Sequence, residues 1–204
     1  GDIPNPAKGP DHPITGVSWH DAVKWCNARS QMEGLPPVYY QNVGNTALFV
    51  SGQYSLSNTN VDWNARGYRL PTEAEWEKAA RGGNIGMRFP WTDWTNCISF
   101  TKANYYAWSQ WSYDLDDGRH PIFGLGEDPS TSPVGYFAPN DYGLYDMAGN
   151  TSEWCWDVYD PDYYIASAQD NPRGPEGPGS VAVQRGGCYI DLGVSARCAA
   201  RQSA

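Results

Sequence analysis

Two groups of residues in the C-terminal third of the chain are of types that could do chemistry. The first is the pair of cysteines in RGGCYIDLGVSARCAAR, Cys188 and Cys198, ten residues apart in a stretch opened by two glycines. Thiolates at close quarters could ligate a soft metal or act as a redox pair. The second is the pair of acids in DMAGNTSEW, Asp146 and Glu153, with Gly149 and Asn150 between them. A tight turn there would aim main-chain carbonyls at the point where the two carboxylates converge. Oxygen-only ligands of this kind suit calcium, which accepts carboxylates, carbonyls and water without strict geometry. The plainer alternative is that both acids cap turn amides. His12, His20 and His120 are scattered and read as surface or capping residues rather than ligands. No GxSxG, HExxH or P-loop pattern occurs. Among 23 acids, the mere presence of acid pairs does not indicate glycoside hydrolysis.

Two helices are expected to frame these residues. In SWHDAVKWCNARSQMEG, Ser18 is placed as N-cap with Asp21 three residues on, Ala22, Val23 and Cys26 form one stripe, and Gly34 ends the helix. In LPTEAEWEKAARGG, Thr72 is the N-cap and Glu75 completes a capping box. Trp76, Ala79 and Ala80 face inward, and Gly82 lies past the end. Between them LPPVYY, ALFV and GQYSL are short β-prone runs, and from Asn84 onward there is no strong helical period. The expected class is α+β, two helices and short antiparallel strands with a high loop content, in a single domain over residues 1–204. Long loops persist in compact domains when something pins them, commonly metal, disulfides or buried aromatics. Ten Trp fit that need, since each ring buries roughly 150–250 Å²; stacking platforms for sugars are the functional alternative.

Net charge −9 and pI near 4.6 argue against nucleic acid, because phosphate binding needs a basic face that 14 Lys plus Arg can hardly assemble here. No apolar run approaches 18 residues and no leader-like segment opens the chain, so a soluble chain without a membrane span is expected. A removed signal or an upstream lipid anchor would leave no trace. The five cysteines, Cys26, Cys97, Cys155, Cys188 and Cys198, show no zinc-type spacing. Their odd number leaves at least one thiol unpaired, and the compartment stays open.

VSWHDAVKWC, YRLPTEAEWEKAARGG, FPWTDW, PVGYFAPNDYGLYDMAGNTSEWCWDVYD and VQRGG occur in the order and approximate spacing of the formylglycine-generating enzyme (sulfatase-modifying factor) family. The chain resembles that family from about Pro13 to Arg201. The resemblance implies an irregular elaboration of the C-type lectin fold, with the family's first strands and its closing strand lying outside these 204 residues. It further implies, in calcium-binding members, side-chain ligation at Asp146 and Glu153 and carbonyl ligation at Gly149 and Thr151. A second family calcium site would begin at Asn104, with Asp116, Asp117 and Asp128 all open as its acid.

The family's oxidases carry a C-x4-C pair after RGG that binds copper(I) and activates oxygen. Here the loop is shorter. Counting back from RCAAR, Cys188 matches the first catalytic cysteine and Gly193 stands at its partner's position; counting forward from RGG, Cys188 falls on a usual Ser or Trp position. Either way the pair is broken, so copper is not expected. Cys198 reads as a packed side chain. The related sulfoxide synthases need a histidine cluster that this chain lacks.

One branch sharing this fold consists of the variable proteins of diversity-generating retroelements, whose C-terminal stretch is rewritten at template adenines. Variable positions there exclude Lys, Glu, Gln, Met and Trp. Cys188–Arg201 contains none of the five. The resulting expectation is a non-catalytic display protein, most like those variable proteins, that binds a protein or other macromolecular ligand through Cys188, Tyr189, Ile190, Asp191, Leu192, Gly193, Val194, Ser195 and Ala196. Trp108, Trp111 and Trp154 would rim the site. The alternative is a cysteine-dependent oxidase or another enzyme of the same fold. Calcium would be structural, and the resemblance suggests a bacterial cell surface or extracellular location. The alternation of apolar and mixed residues from Cys188 to Val194 also reads as a half-buried strand.

Overall fold

The computed structural model describes residues 9–93, 95–124, 130–175 and 181–204. Helix α1 spans Trp19–Met32. Ser18 Oγ accepts the Asp21 N–H and donates to the Asp21 carboxylate, and Gly34 turns the chain away at φ +69°. Val23, Cys26, Asn27 and Ser30 form its buried stripe. Helix α2 spans Glu73–Arg81. Its capping box closes as expected: Thr72 Oγ1 accepts the Glu75 N–H, and Glu75 Oε2 accepts the Thr72 N–H at 2.9 Å. Gly82 ends it in the left-handed region, where a side chain would be strained.

The remaining regular elements are short. Strands β1 (Tyr106–Ala107) and β2 (Gly118–Arg119) pair antiparallel. Strands β3 (Glu153–Val158), β4 (Ala182–Arg185) and β5 (Gln202–Ser203) form an antiparallel sheet in the order β3-β4-β5, with Glu153 opposite Arg185 and a bulge between Trp154 and Val158. Helix α3, Tyr163–Ala166, is a single turn that the sequence pattern does not announce.

The β-prone runs after α1 give only isolated bridges, Tyr39 to Val61 and Tyr40 to Leu48. The reason is Asn27, fully buried, whose amide acts as a strand partner would. Its Nδ2 donates to the carbonyls of Tyr39 and Phe49, and its Oδ1 accepts from the N–H groups of Val38 and Tyr39. The loop after β4 also departs from expectation. Residues 188–200 form consecutive turns, not a strand, with one bridge from Leu192 to Tyr106. Turn bonds from Asp191 to Cys188, Ser195 to Leu192 and Ala196 to Gly193 use donors a ladder would need. After that loop the chain does return to the sheet, as β5.

Three aromatic-rich clusters hold the layers together. Trp156 joins α1 to Tyr39 and Phe49; Phe89, Ile98 and Tyr105 pack under the loop after β4; and Trp76, Met147, Cys155, Val183 and Cys198 lie between α2 and the large sheet. Asp157 of β3 reaches the start of α2, where its Oδ2 accepts the Glu73 N–H at 2.7 Å. Its second oxygen is buried without a hydrogen-bond partner. Burial, partly offset by that bond and reinforced by Glu73, pushes its carboxyl up to about 7.

Removing the α2 cap by Thr72→Ala is expected to lower stability by about 1 kcal/mol, read in thermal melts as a fall of roughly 2–4 °C. The Asp157 carboxyl gives a second expectation. The unfolded chain ionises it near pH ~4, the folded chain at about 7. Between those values the native state holds the extra proton, so stability falls as pH rises through the window, by at most ~1.4 kcal/mol per pH unit for one proton. Asp157→Asn should flatten part of that fall in melts between pH 4.5 and 7.5; identical slopes would remove Asp157 from this role.

Candidate functional site

The loop after β4 is fixed by its main chain. Gly186 and Gly187 open it at φ +87° and +68°, and a Cβ on Gly187 would stand 3.0 Å from the Ser195 carbonyl carbon. The Gly186 carbonyl accepts from Gly149 N–H, Tyr189 N–H donates to the Asn150 carbonyl, Tyr106 N–H to the Asp191 carbonyl, and Cys198 N–H to the Arg88 carbonyl. The Asp191 carboxylate braces the turn from inside, accepting from Cys188 N–H at 3.0 Å and from Gln202 Nε2 at 3.2 Å.

This arrangement divides the nine expected ligand-binding residues. Ile190 is 59% exposed, and Cys188, Tyr189, Leu192, Val194 and Ser195 are half-buried. Asp191 is half-buried and committed to the brace. Gly193 and Ala196 are buried, which corrects their assignment to a displayed surface. A Cβ on Gly193 would lie 3.2 Å from both Ile98 Cγ2 and Asp114 Oδ2, so nothing larger fits without displacing them. Beside the loop stand Tyr106 (40% exposed) and Trp108 (39%), followed by Trp111 and Tyr113, with ring centroids 5.6 Å apart from Trp108 to Trp111 and from Trp111 to Tyr113. Tyr106 was missed in the sequence, which gives no sign that β1 bonds to Asp191. Trp154 belongs elsewhere: its Nε1 donates to the Val17 carbonyl, and its ring lines a cleft with Trp19 and Trp156.

All five cysteines are free. Cys198 is fully buried in the cluster under α2, and burial pushes its thiol up to about 11. Burial also raises Cys188, the direction opposite to an activated thiolate. The three histidines are apart: His12 Nδ1 meets Thr131 Oγ1, His20 Nε2 meets the Tyr54 carbonyl, and His120 Nε2 meets the Phe100 carbonyl while its Nδ1 accepts from Ile122 N–H.

Asp146 and Glu153 do converge, on a shallow cleft also lined by Asn150 and Thr151. Asp146 and Asn150 take left-handed conformations, at φ +55° and +64°, and Gly149 sits where a Cβ would lie 2.4 Å from the Asn104 carbonyl oxygen. Asp146 Oδ2 accepts from Gly135 N–H at 2.7 Å, while Oδ1 is buried without a partner. Glu153 Oε2 accepts from Trp76 Nε1 at 2.6 Å. Burial raises both carboxyls, Glu153 to about 7, and the neighbouring Asp146 charge adds to the Glu153 shift. Two raised carboxyls and one orphaned oxygen fit a hard cation held with main-chain oxygens. Among the described residues no three His, Cys, Asp or Glu side chains gather around one point, so carbonyls and water would have to complete the set. Of the residues considered for a second site, Asn104 Nδ2 donates to the Ser130 carbonyl, Asp116 accepts from Phe100 N–H and Asp117 from Ser109 N–H. Asp128 lies outside the described residues.

Residues 1–204 match the family described as sulfatase-modifying factor enzyme 1-like domain. The chaperone protein LppX of Paenibacillus barcinonensis is 36% identical over 203 residues, covering 93% of this chain and 63% of the relative. The formylglycine-generating enzyme of Streptomyces coelicolor is 36% identical over 190 residues, covering 89% and 54%. The chain thus spans between half and two thirds of the length of these curated relatives. Among solved structures, Treponema denticola variable protein 1 superposes with a TM-score of 0.72 at 29% identity, over all of this chain and 69% of that one. With its capped α2, its RGG-opened loop and a match along the whole sequence, the chain belongs to the sulfatase-modifying factor (formylglycine-generating enzyme) family.

Proposed function

We propose that this domain is a non-catalytic display protein whose loop after β4 binds a protein or other macromolecular ligand, with Tyr106 and Trp108 as a fixed aromatic margin. The observation that carries the reading is the way the loop is held. Main-chain bonds to Asn150, Tyr106 and Arg88 fix its course, leaving Ile190 exposed and Tyr189, Leu192, Val194 and Ser195 half-buried along it. A pre-ordered surface binds with little ordering entropy lost. The likeness to a protein named as variable agrees with this role, and exchange of these residues by a retroelement at a bacterial surface belongs to the same reading. Net charge −9 disfavours nucleic acid as the ligand.

Calcium enters as a structural ion. Asp146 and Glu153 would ligate it through carboxylates, with Gly149 and Thr151 carbonyls beside them, and its charge would relieve the repulsion between two buried acids.

The second reading is a cysteine-dependent oxidase, favoured by 36% identity to a formylglycine-generating enzyme. Copper(I) titration, with an assay for oxygen-dependent conversion of a peptide cysteine, separates the two. Tight copper binding with turnover overturns the display reading.

Two further outcomes are expected. Panning this chain and a variant exchanged at Ile190, Leu192 and Ser195 against one peptide-display library should enrich different ligands, and identical recoveries count against the loop as the site. Millimolar calcium should raise the melting temperature and a chelator lower it, since an ion that binds only the folded state stabilises it by mass action. Asp146→Asn should abolish that difference; a melt insensitive to both additions dismisses the ion.

A further inference from the structure

The loop's two ends are tied to one helix. Arg185, the last residue of β4, is fully buried. Its Nη2 donates to Glu77 Oε2 at 2.6 Å and to the Cys198 carbonyl at 2.9 Å, its Nη1 to the Ala200 carbonyl, and its guanidinium lies 5.1 Å from the Trp76 ring centroid. Arg201, the first residue after the loop, grips Glu73 with both arms of its fork, Nε to Oε1 at 2.7 Å and Nη2 to Oε2 at 2.8 Å. Its third arm donates to the Asp160 carbonyl, and its plane lies over Tyr159 and Tyr164. Glu73 and Glu77 stand four residues apart on α2, where side chains project to the same face about 5–6 Å from one another. The helix therefore acts as a ruler between the chain entering the loop and the chain leaving it. The Arg201 fork matches the Glu73 carboxylate in a fixed geometry that a flexible lysine does not reproduce, while Arg185 meets Glu77 through one bond and the other Glu77 oxygen accepts from Arg81.

We propose that Glu73 and Glu77, through Arg201 and Arg185, are positioning residues for recognition: they hold the loop backbone in one course whatever side chains its outward positions carry. The proposal deepens the display reading, on which its purpose rests, but its test needs no ligand. A merely structural ion cluster would add a constant amount of stability whatever the loop sequence. A positioning cluster predicts coupling, because without it the loop's course depends on its own side chains.

The test is a double-mutant cycle. One arm is the loop change Ile190→Asn, Leu192→Asn and Ser195→Asn together. The other arm is Glu77→Gln or, as the milder variant should the first not fold, Arg201→Lys, which keeps the charge and loses the fork. Melting temperature and hydrogen exchange at the Ser195 and Cys198 amides are read in all four chains. In the intact frame the loop change should move the melting temperature by less than about 2 °C and leave amide protection unaltered. In the altered frame the same change should lower the melting temperature by at least about 5 °C more and weaken protection by about ten-fold or more. Additive shifts in the two backgrounds, or a large loss from the loop change in the intact frame, overturn the proposal. Either result is obtained without ligand, so it stands apart from whether the loop binds a macromolecule.

Discussion

Arg185 is the charge around which this domain is arranged. A guanidinium with no exposed surface is stable only if its donors are matched, because an unpaired buried ion costs several kcal/mol. Glu77 and two main-chain carbonyls match its Nη donors, while its Nε makes no hydrogen bond and is paired by charge alone with Glu73 Oε1 at 3.5 Å. The consequence reaches three parts of the chain. Helix α2 must present two acids on one face and hold the Trp76 ring 5.1 Å from the guanidinium, β4 must end at the arginine, and the chain must leave its loop with carbonyls turned inward. The acids are in turn limited by their own surroundings. Asp157 of β3, which accepts the first N–H of the same helix, keeps a raised carboxyl because burial and the nearby Glu73 charge disfavour its ionisation.

The second constraint is how so much irregular chain is pinned. Disulfides do not contribute, since all five cysteines are free. Buried asparagine amides contribute a large share. Asn27 binds four main-chain groups of the segment after α1. Asn140 accepts from Tyr142 and Leu144 and donates to the carbonyls of Ala79 and Ala80, finishing the end of α2. Asn150 exchanges bonds with Ser132 in both directions, and its carbonyl receives the loop at Tyr189. An amide carries both donors and acceptors, so one side chain can complete two stretches of main chain that form no ladder. His120 does the same with a single tautomer, donating from Nε2 and accepting at Nδ1. Water is kept from these bonds by the aromatic clusters, and bonds so shielded are harder to lose.

A loop fixed through its backbone separates geometry from recognition. The clamp, the amides and the rings hold the chain around the loop. The two sites differ in this respect. The cleft at Asp146 and Glu153 depends on left-handed backbone and on Gly149, where any Cβ would come 2.4 Å from the Asn104 carbonyl oxygen, so its residue types are dictated by shape. In the loop such dictation falls on the inner residues Asp191, Gly193 and Ala196.

Local rules sufficed for what lies within a few residues. Ser18 with Asp21, Thr72 with Glu75, and the closing glycines Gly34 and Gly82 are all legible, because a cap is a bond between near neighbours in the chain. The place of the candidate loop was legible too, from RGG and RCAAR. Its inner and outer residues were not. Alternation at 188–194 suggested a strand, whereas turn bonds, and the contact of Gly193 with Tyr105 and Asp114, decide which side chains face solvent. The carboxylate pair was readable as a motif, but its raised carboxyls follow from burial beside Trp76, far away in sequence. The sequence by itself thus determined the helices, the family and the loop's address, all of them encoded in short-range pattern. Only the tertiary structure decided which arginine meets which acid and which loop residues face out, because those depend on partners distant in sequence, more than a hundred residues apart for the two arginine–glutamate pairs, brought within reach.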